Sequence, residues 1–460
     1  MTLVCVDVGS TFTKAALLDV DGTLLARTET PTTVTTDVLD GVRRALRDLA
    51  AGGVPVPDPS DRDRVLVCSS AGGGLRIAVV GYERLVTAEA GHRVALSAGG
   101  KVVHVASGPL DGAAVRALRA SRPDVVLLVG GTDGGNAEVL VHNARRLARA
   151  RTAVPVVVAG NRDAREEVAA LLASTGRRFV VTDNVLPRIG VVEPRPARAA
   201  IREMFLRHVI GGKGLSRGPL FASLVRAPTP DAVLSGVQVL AEAAGEDVMV
   251  VDVGGATTDV YSALTPEGED ASLRKDVVAT LWHARTVEGD LGMRWSARGV
   301  LGAVAAERLE PEDPAGLAAW VDRVSEDPQR LPATPGERRH ELRLAGLAAL
   351  VACRRHARPP GPGESPRPLV NVRHLVGSGG VLRHATPAEA EELLGAVLRD
   401  HGGGWRPPAD ARVAVDTAYL LFAAGLLARD HPETARAVAR QVLDPAAAGR
   451  DRRRRSRAAH

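Results

Sequence analysis

The chain is predicted to be an α/β protein of two related lobes closing on one phosphate-bearing ligand, with an elaborated β-α region in the first lobe. Three observations carry this. The segments VDVGSTFTKAALLD, from Val6, and VDVGGATTDVYSAL, from Val251, lie 245 residues apart and repeat one design of strand, Asp, Gly-rich turn and hydroxyl residues. Strands alternate with helical stretches from Val65 to about Val192, the mark of a mostly parallel sheet. A third Gly-rich turn, LVGSGG from Leu375, follows the second copy in order.

Each copy has a physical reading. An apolar run, Leu3 to Val6 or Val248 to Val251, delivers Asp7 or Asp252 at the end of a buried strand. A carboxylate there is costly unless it is paired or bound to a metal. The predicted use is magnesium, a hard cation held through oxygens and often through its own waters. Gly9 in one copy, and Gly254 with Gly255 in the other, let backbone N–H groups approach phosphate oxygens. Ser10, Thr11 and Thr13, and likewise Thr257 and Thr258, add hydroxyl donors; Lys14 adds a positive charge, and Asp259 is placed to support the turn. Either copy alone also reads as a β-hairpin with a glycine turn. The ordered pair is what points to phosphate, and neither GxxxxGK[ST] nor a strand-to-helix GxGxxG occurs.

In chain order, residues 1 to about 60 read as strands and one helix, DVLDGVRRALRDLAA, closed by the Pro-rich GVPVPDPSD. The alternating region then runs through VLVCSSAG, ALSAGGKVVHVASG, AAVRALRA, VVLLVGG, NARRLARA, VPVVVAG, AREEVAALLAS and RFVVTDNV. Its loop GGTDGGNAE would project Asp133, Asn136 and Glu138 beyond the carboxyl end of a strand, where open α/β sheets collect ligands. Asp133 is the leading candidate for orienting an attacking water. A helix start capped by Asn136, with Glu138 in its first turn, explains the same residues equally well. Leu309 to Ala357 is helical and charged, broken by EDPQRLPATPGE, and is assigned to the outer part of the second lobe. After PPGPGESPRP, the turn Gly377, Ser378, Gly379 and Gly380 is placed to lie against a nucleotide's base or ribose.

Composition fits a large buried core without staples: 460 residues, with three cysteines in no metal spacing. Cys5 and Cys68 lie in strand-like runs and read as small buried hydrophobes. The longest apolar stretch, near Leu420, is shorter than a membrane span needs, and no basic leader precedes the first strand, so a cytoplasmic protein is expected. Most of the net charge of +5 sits in DRRRRSRAAH at the end, read as a disordered solvated tail. Aromatic residues make up 3%, and no basic run interleaves them for base stacking, so nucleic acid is not an expected partner. The histidines form no HExxH and no triad spacing.

The ordered set DVGSTFTK, DVGGATTD and LVGSGG resembles the phosphate 1, phosphate 2 and adenosine motifs of the actin, Hsp70 and sugar kinase superfamily. That resemblance implies two ribonuclease-H-like lobes with ATP and magnesium in the cleft, held by the residues named above. It also implies two connecting helices, to which APTPDAVLSGVQVLAE (Ala227 to Glu242) and DTAYLLFAAGLLA (Asp416 to Ala428, N-capped by Asp416, with Gly425 allowing close contact) are similar. Chaperone members carry Glu where Ala227 stands, which leaves the water-orienting residue open. Further segments, SSAGGGLRIAVVGYE, LLVGGTDGGNAE, VVVAGN, TDNVLPRIGVVEPRPAR and RTVEGDLGMR, resemble one family within that superfamily, the glutamate mutase accessory proteins also called MutL, unrelated to the mismatch-repair protein.

The family likeness implies an ATPase acting as a chaperone or reactivating factor for an adenosylcobalamin-dependent carbon-skeleton mutase, with the mutase as partner and oligomerisation open. The lobes are then expected at 1–230, with the elaboration at about 65–192, and at 231–411. A returning connecting region at 412–445 and the tail at 446–460 complete the chain. Two rivals share the motifs. One is an ATP-dependent amidohydrolase of the hydantoinase A and oxoprolinase group, or a small-molecule kinase; the other is an actin-like polymerising module.

Overall fold

The computed structural model describes residues 1–71, 73–150, 152–265, 282–359 and 366–444. The basic tail expected to be disordered, and residues 360–365 of the Pro-rich loop, lie outside the described residues. The described chain divides into two compact units, one of residues 1–236 and 422–438, the other of 237–265, 282–421 and 439–444.

The first unit contains two sheets. One is built from β1 (Thr2–Val8), β2 (Phe12–Asp19), β3 (Leu24–Pro31), β4 (Val65–Ser69) and, much later in the chain, β10 (Val225–Pro228), in the order β10-β4-β1-β2-β3. β1, β2 and β3 form an antiparallel meander, whereas β4 runs parallel to β1 and β10 parallel to β4. The near-continuous burial of TLVCVDV and VLVCS suits strands covered on both faces. Register places Val8 beside Ser69 and Ser69 beside Pro228, so the carboxyl ends of three parallel strands line up.

The other sheet is inserted between β4 and β10. It comprises β5 (Leu75–Gly81), β6 (Gly100–Ser107), β7 (Val125–Leu128), β8 (Val156–Val158) and β9 (Phe179–Val181), all parallel, in the order β6-β5-β7-β8-β9. Counted within the sheet this is 2-1-3-4-5, a doubly wound order. The expected β-α elaboration is therefore present, with two adjustments. VLVCS belongs to the first sheet, so the parallel sheet begins at Leu75 rather than at about 65. LRIAVVG is a strand that alternation did not single out, and Ala95 to Ser97 ends the helix Thr87–Ser97 instead of opening a strand. A single buried core, including Val6, Val67, Ile77, Val79 and Leu127, runs between the two sheets.

The second unit holds β11 (Val248–Val253), β12 (Thr258–Ala263), β13 (His283–Glu288), β14 (His374–Ser378) and β15 (Arg412–Val415), in the order β13-β12-β11-β14-β15. β11, β12 and β13 are antiparallel neighbours; β14 and β15 run parallel to β11. Order and directions repeat those of β3-β2-β1-β4-β10, so both units carry the ribonuclease-H-like topology expected of actin-like lobes. β15 corrects the expected start of a returning region at 412, because ARVAV supplies an edge strand of this sheet. The 23-residue helix Pro335–Ala357 is also not peripheral. Leu344, Ala348, Val351 and Ala352 are fully buried, and the helix packs on β11 and β12. Its buried Arg354 is paired bidentately with Asp400, at 2.7 Å for each oxygen.

Candidate functional site

In the first unit the candidate residues lie at the β1–β2 turn. Asp7, next to last in β1, is 2% exposed, and its Oδ1 accepts the Thr229 hydroxyl at 2.6 Å and the Cys68 thiol at 3.6 Å. Burial, reinforced by the Asp7 charge, pushes the Cys68 thiol well up, so it remains a protonated donor. Thr229 opens the helix Thr229–Ala244 directly after β10, so the first connecting helix starts two residues later than the motif suggested. The sequence comparison stopped at Ala227, which lies in β10; the hydroxyl two residues on is the group that reaches Asp7. Its signal was the APTP stretch itself, since β10 ends there beside β4.

Gly9 donates its N–H to the Phe12 carbonyl at 3.0 Å, and a Cβ there would sit 2.8 Å from that oxygen. Its amide therefore closes the turn, and the expected use of that N–H on a phosphate oxygen is corrected. Ser10 and Thr11 are exposed, and their amides have no acceptor among the described residues. Thr13 is corrected too: it is buried, with its hydroxyl 3.0 Å from that of Thr32. Lys14 is half-buried and stands opposite Asp7 on β1 and Glu29 on β3.

The second unit repeats the arrangement. Gly254 donates to the Thr257 carbonyl at 2.9 Å, as Gly9 does to Phe12, while exposed Gly255 and Ala256 have amides without an acceptor among the described residues. Half-buried Asp252 occupies the position of Asp7, opposite Asp259 on β12 and Ser378 on β14. Thr257 donates its hydroxyl to Asp259 at 3.0 Å, and Arg285 binds the same carboxylate at 2.6 Å, so Asp259 supports the turn. Thr258 is buried, its hydroxyl donating to the Leu291 carbonyl at 2.5 Å, so its expected phosphate contact is corrected as well.

The third glycine turn is mostly internal. Gly377 and Ser378 are buried in β14, and a Cβ at Gly377 would press on Leu382 and Leu394 at 3.0 Å. Gly379 has φ +96° and approaches β11 so closely that a Cβ would collide with the Val253 carbonyl. Only Gly380 is exposed, opening the short helix Gly380–Arg383. Asp416 accepts the amides of Leu420 and Leu421, and the helix proper is Leu421–Leu427. Gly425 behaves as expected of a close helix contact: a Cβ there would collide with the Ala232 carbonyl.

Asp133 lies beyond the carboxyl end of β7 in the parallel sheet, where its Oδ1 accepts from Asn184 at 2.9 Å and from the Arg162 amide at 3.0 Å. Asn136 accepts the Glu138 amide at 2.7 Å, but the N-cap of the helix Glu138–Arg149 is Ala137, so the expected cap by Asn136 is corrected to a bond from one residue before the cap, with Glu138 in the first turn as expected. Asp133 thus fixes its loop through Oδ1.

Among the described residues no group of three or more His, Cys, Asp or Glu side chains could hold a metal. Asp7 and Asp252 each present one carboxylate at a strand end. Each is the type of donor that suits magnesium, which retains waters and is bound through one or two carboxylates plus phosphate oxygens, rather than a protein cage. Among the described residues, no helix is long and apolar enough to cross a membrane.

Comparison with known proteins gives a consistent family. Among solved structures, the ATP-dependent caprolactamase from Pseudomonas jessenii is 15% identical with TM-score 0.40, covering 92% of this chain and 70% of that one. A ROK family glucokinase from Streptomyces griseus, in complex with glucose and AMPPNP, is 14% identical with TM-score 0.33, covering 96% and 100%. The fold assignment rests on strand order and direction, not on these likenesses. Protein MutL of Clostridium tetanomorphum is 34% identical over 458 residues, 95% of this chain and 98% of the relative. The MutL protein family model matches residues 3–443, and with that relative it establishes that the chain belongs to the MutL family.

Proposed function

We propose that this protein binds ATP with magnesium and hydrolyses it as an accessory, reactivating factor for an adenosylcobalamin-dependent carbon-skeleton mutase such as glutamate mutase. The observation carrying the ATP reading is the repeated turn. In two sheets of the same topology, a strand-end Asp precedes a glycine whose amide closes the turn, followed by two exposed residues with unused amides. Successive backbone N–H groups of this kind bind anions. Ser10 and Thr11, with Gly255 and Ala256, would hold phosphate oxygens, and Lys14 would add charge. Gly380 is the exposed part of the third turn for the nucleoside.

Asp7 and Asp252 would hold hydrated magnesium, which when bound neutralises phosphate charge. Positioning and charge neutralisation then provide most of the catalysis for phosphoryl transfer to water. Family membership supports the partner: a radical mutase that loses its adenosyl group retains damaged cofactor, and its release needs free energy. ATP supplies that only by binding one conformation more tightly than another.

Steady-state ATP hydrolysis with magnesium, alone and with an inactivated adenosylcobalamin mutase, tests both parts. The expected result is ATP-dependent recovery of mutase activity that disappears in Asp252→Ala while that variant stays folded. Unchanged hydrolysis in Asp252→Ala removes the magnesium role. Hydrolysis without recovery, stimulated instead by a hydantoin or a sugar, moves the assignment to a small-molecule enzyme.

A further inference from the structure

The segment Glu288–Ser296, within RTVEGDLGMR and its continuation, grips the β11–β12 turn from one side. The Gly254 carbonyl accepts the Met293 amide at 2.9 Å, and the Gly255 carbonyl accepts the amides of Arg294 at 2.8 Å and Trp295 at 3.0 Å. The Ala256 carbonyl accepts the Ser296 hydroxyl at 2.9 Å, and that hydroxyl also lies 2.9 Å from the Gly289 carbonyl. Three successive carbonyls of the turn are thus engaged by one segment. A peptide plane whose carbonyl is held on one side presents its N–H on the opposite side. The amides of Gly255 and Ala256 are therefore aimed away from the segment, and neither has an acceptor among the described residues.

The segment is itself anchored in the core. Arg294 forms a two-pronged pair with Glu341, at 2.7 and 3.2 Å, and donates to the Met293 carbonyl at 2.8 Å, locking the backbone that holds Gly254. Glu341 is 2% exposed and also accepts the Trp320 indole N–H at 2.9 Å. No packing rule requires a glycine turn at a strand end to be tied to a buried ion pair. A buried pair of this kind is weak evidence for stability, since an apolar pair of similar volume often serves equally. Its geometric consequence is specific: it fixes the direction of two amides. Around the β1–β2 turn, the described residues hold the Thr11 carbonyl through the Thr32 amide at 2.9 Å and the Val8 carbonyl through the amides of Ser70 and Ala71 at 3.1 and 3.2 Å, while the Ser10 hydroxyl donates to the Ser70 carbonyl at 3.3 Å.

We infer that Arg294 and Glu341 are positioning residues that preorganise the Gly255 and Ala256 amides for the phosphates of the nucleotide, acting through Met293 to Ser296. Fixed donors cost no reorganisation when the charge arrives. This rests on the ATP reading above.

The test is binding of Mg-ATP and of adenosine, by calorimetry, to the full chain and to the double variant Arg294→Met/Glu341→Gln. The double variant removes the charge pair together but leaves an acceptor for Trp320. The expected result is Mg-ATP affinity about 10-fold weaker, with adenosine affinity and melting temperature nearly unchanged, and faster hydrogen exchange at Gly255 and Ala256. Should the double variant fail to fold, Ser296→Ala, which deletes only an exposed hydroxyl, is expected to weaken Mg-ATP about 3-fold. Wild-type binding with no loss in a folded double variant, or equal loss for adenosine, overturns the positioning role and leaves the ATP reading intact. No Mg-ATP binding by the wild-type chain overturns the ATP reading, and the inference with it.

Discussion

One hydroxyl, that of Thr229, and one imidazole, that of His356, show how single groups set the energetics of this protein. Asp7 is a nearly inaccessible carboxylate whose short bond comes from Thr229, with a weaker one from Cys68. Deleting a donor to a buried charged group costs about 1–3 kcal/mol or more. Thr229→Val is therefore expected to lose about 2–3 kcal/mol in urea denaturation, while Thr229→Ser stays near wild type. His356 is fully buried between Thr286 and Ser262, both at 2.9 Å, and burial, aided by the charge of Arg367, holds its pKa well below the usual imidazole value. Its folded form stays neutral where the unfolded chain takes up a proton. The associated stability is fully present above about pH 6.5 and falls as pH drops below it, by up to about 1.4 kcal/mol per pH unit, until the folded pKa is reached. His356→Gln, which keeps hydrogen-bonding atoms without titrating in this range, is expected to flatten the pH dependence of urea midpoints between pH 6.5 and 5.

At the scale of elements, glycine marks where two backbones meet. Gly425→Ala should destabilise the first unit by about 1–3 kcal/mol, read as a lowered denaturant midpoint, because the new methyl has no space beside Ala232. Such contacts also bound what the sequence could disclose. Both turns were legible because their design repeats, and the helix Val38–Ala50, which Asp37 caps, was legible as the segment DVLDGVRRALRDLAA. Which atoms of the turns face outward was not. Gly9 and Gly254 looked like phosphate binders, yet a local bond to Phe12 or Thr257 uses their amides. Strand alternation put Thr13 and Thr258 in the interior, a period-two consequence that a motif reading overlooks. Thr229 and Glu341 were illegible for another reason: their partners, Asp7 and Arg294, lie 222 and 47 residues away, and no local pattern encodes such a meeting. β15 was missed because RVAV is too short to separate from the helix that follows.

For the whole molecule, binding and folding are linked by mass action. Mg-ATP at about 100 times its Kd should add about 2.7 kcal/mol to the unit that holds it. A compact unit of this size should then melt about 5–10 °C higher, and Asp252→Ala should lose that shift in a thermal scan. The strand order of the first sheet has a consequence for the growing chain. β10 pairs with β4, but the whole parallel sheet is encoded between Ser69 and Val225. At about 5–20 residues per second, a ribosome needs roughly 8–30 s to make that stretch. For that interval β1 to β4 can assemble while one edge of β4 still awaits its neighbour, and an uncovered edge recruits strands from other chains. Expression at lower temperature, or with holdase chaperones in excess, should therefore raise the yield of native protein more than comparable changes applied after synthesis is complete.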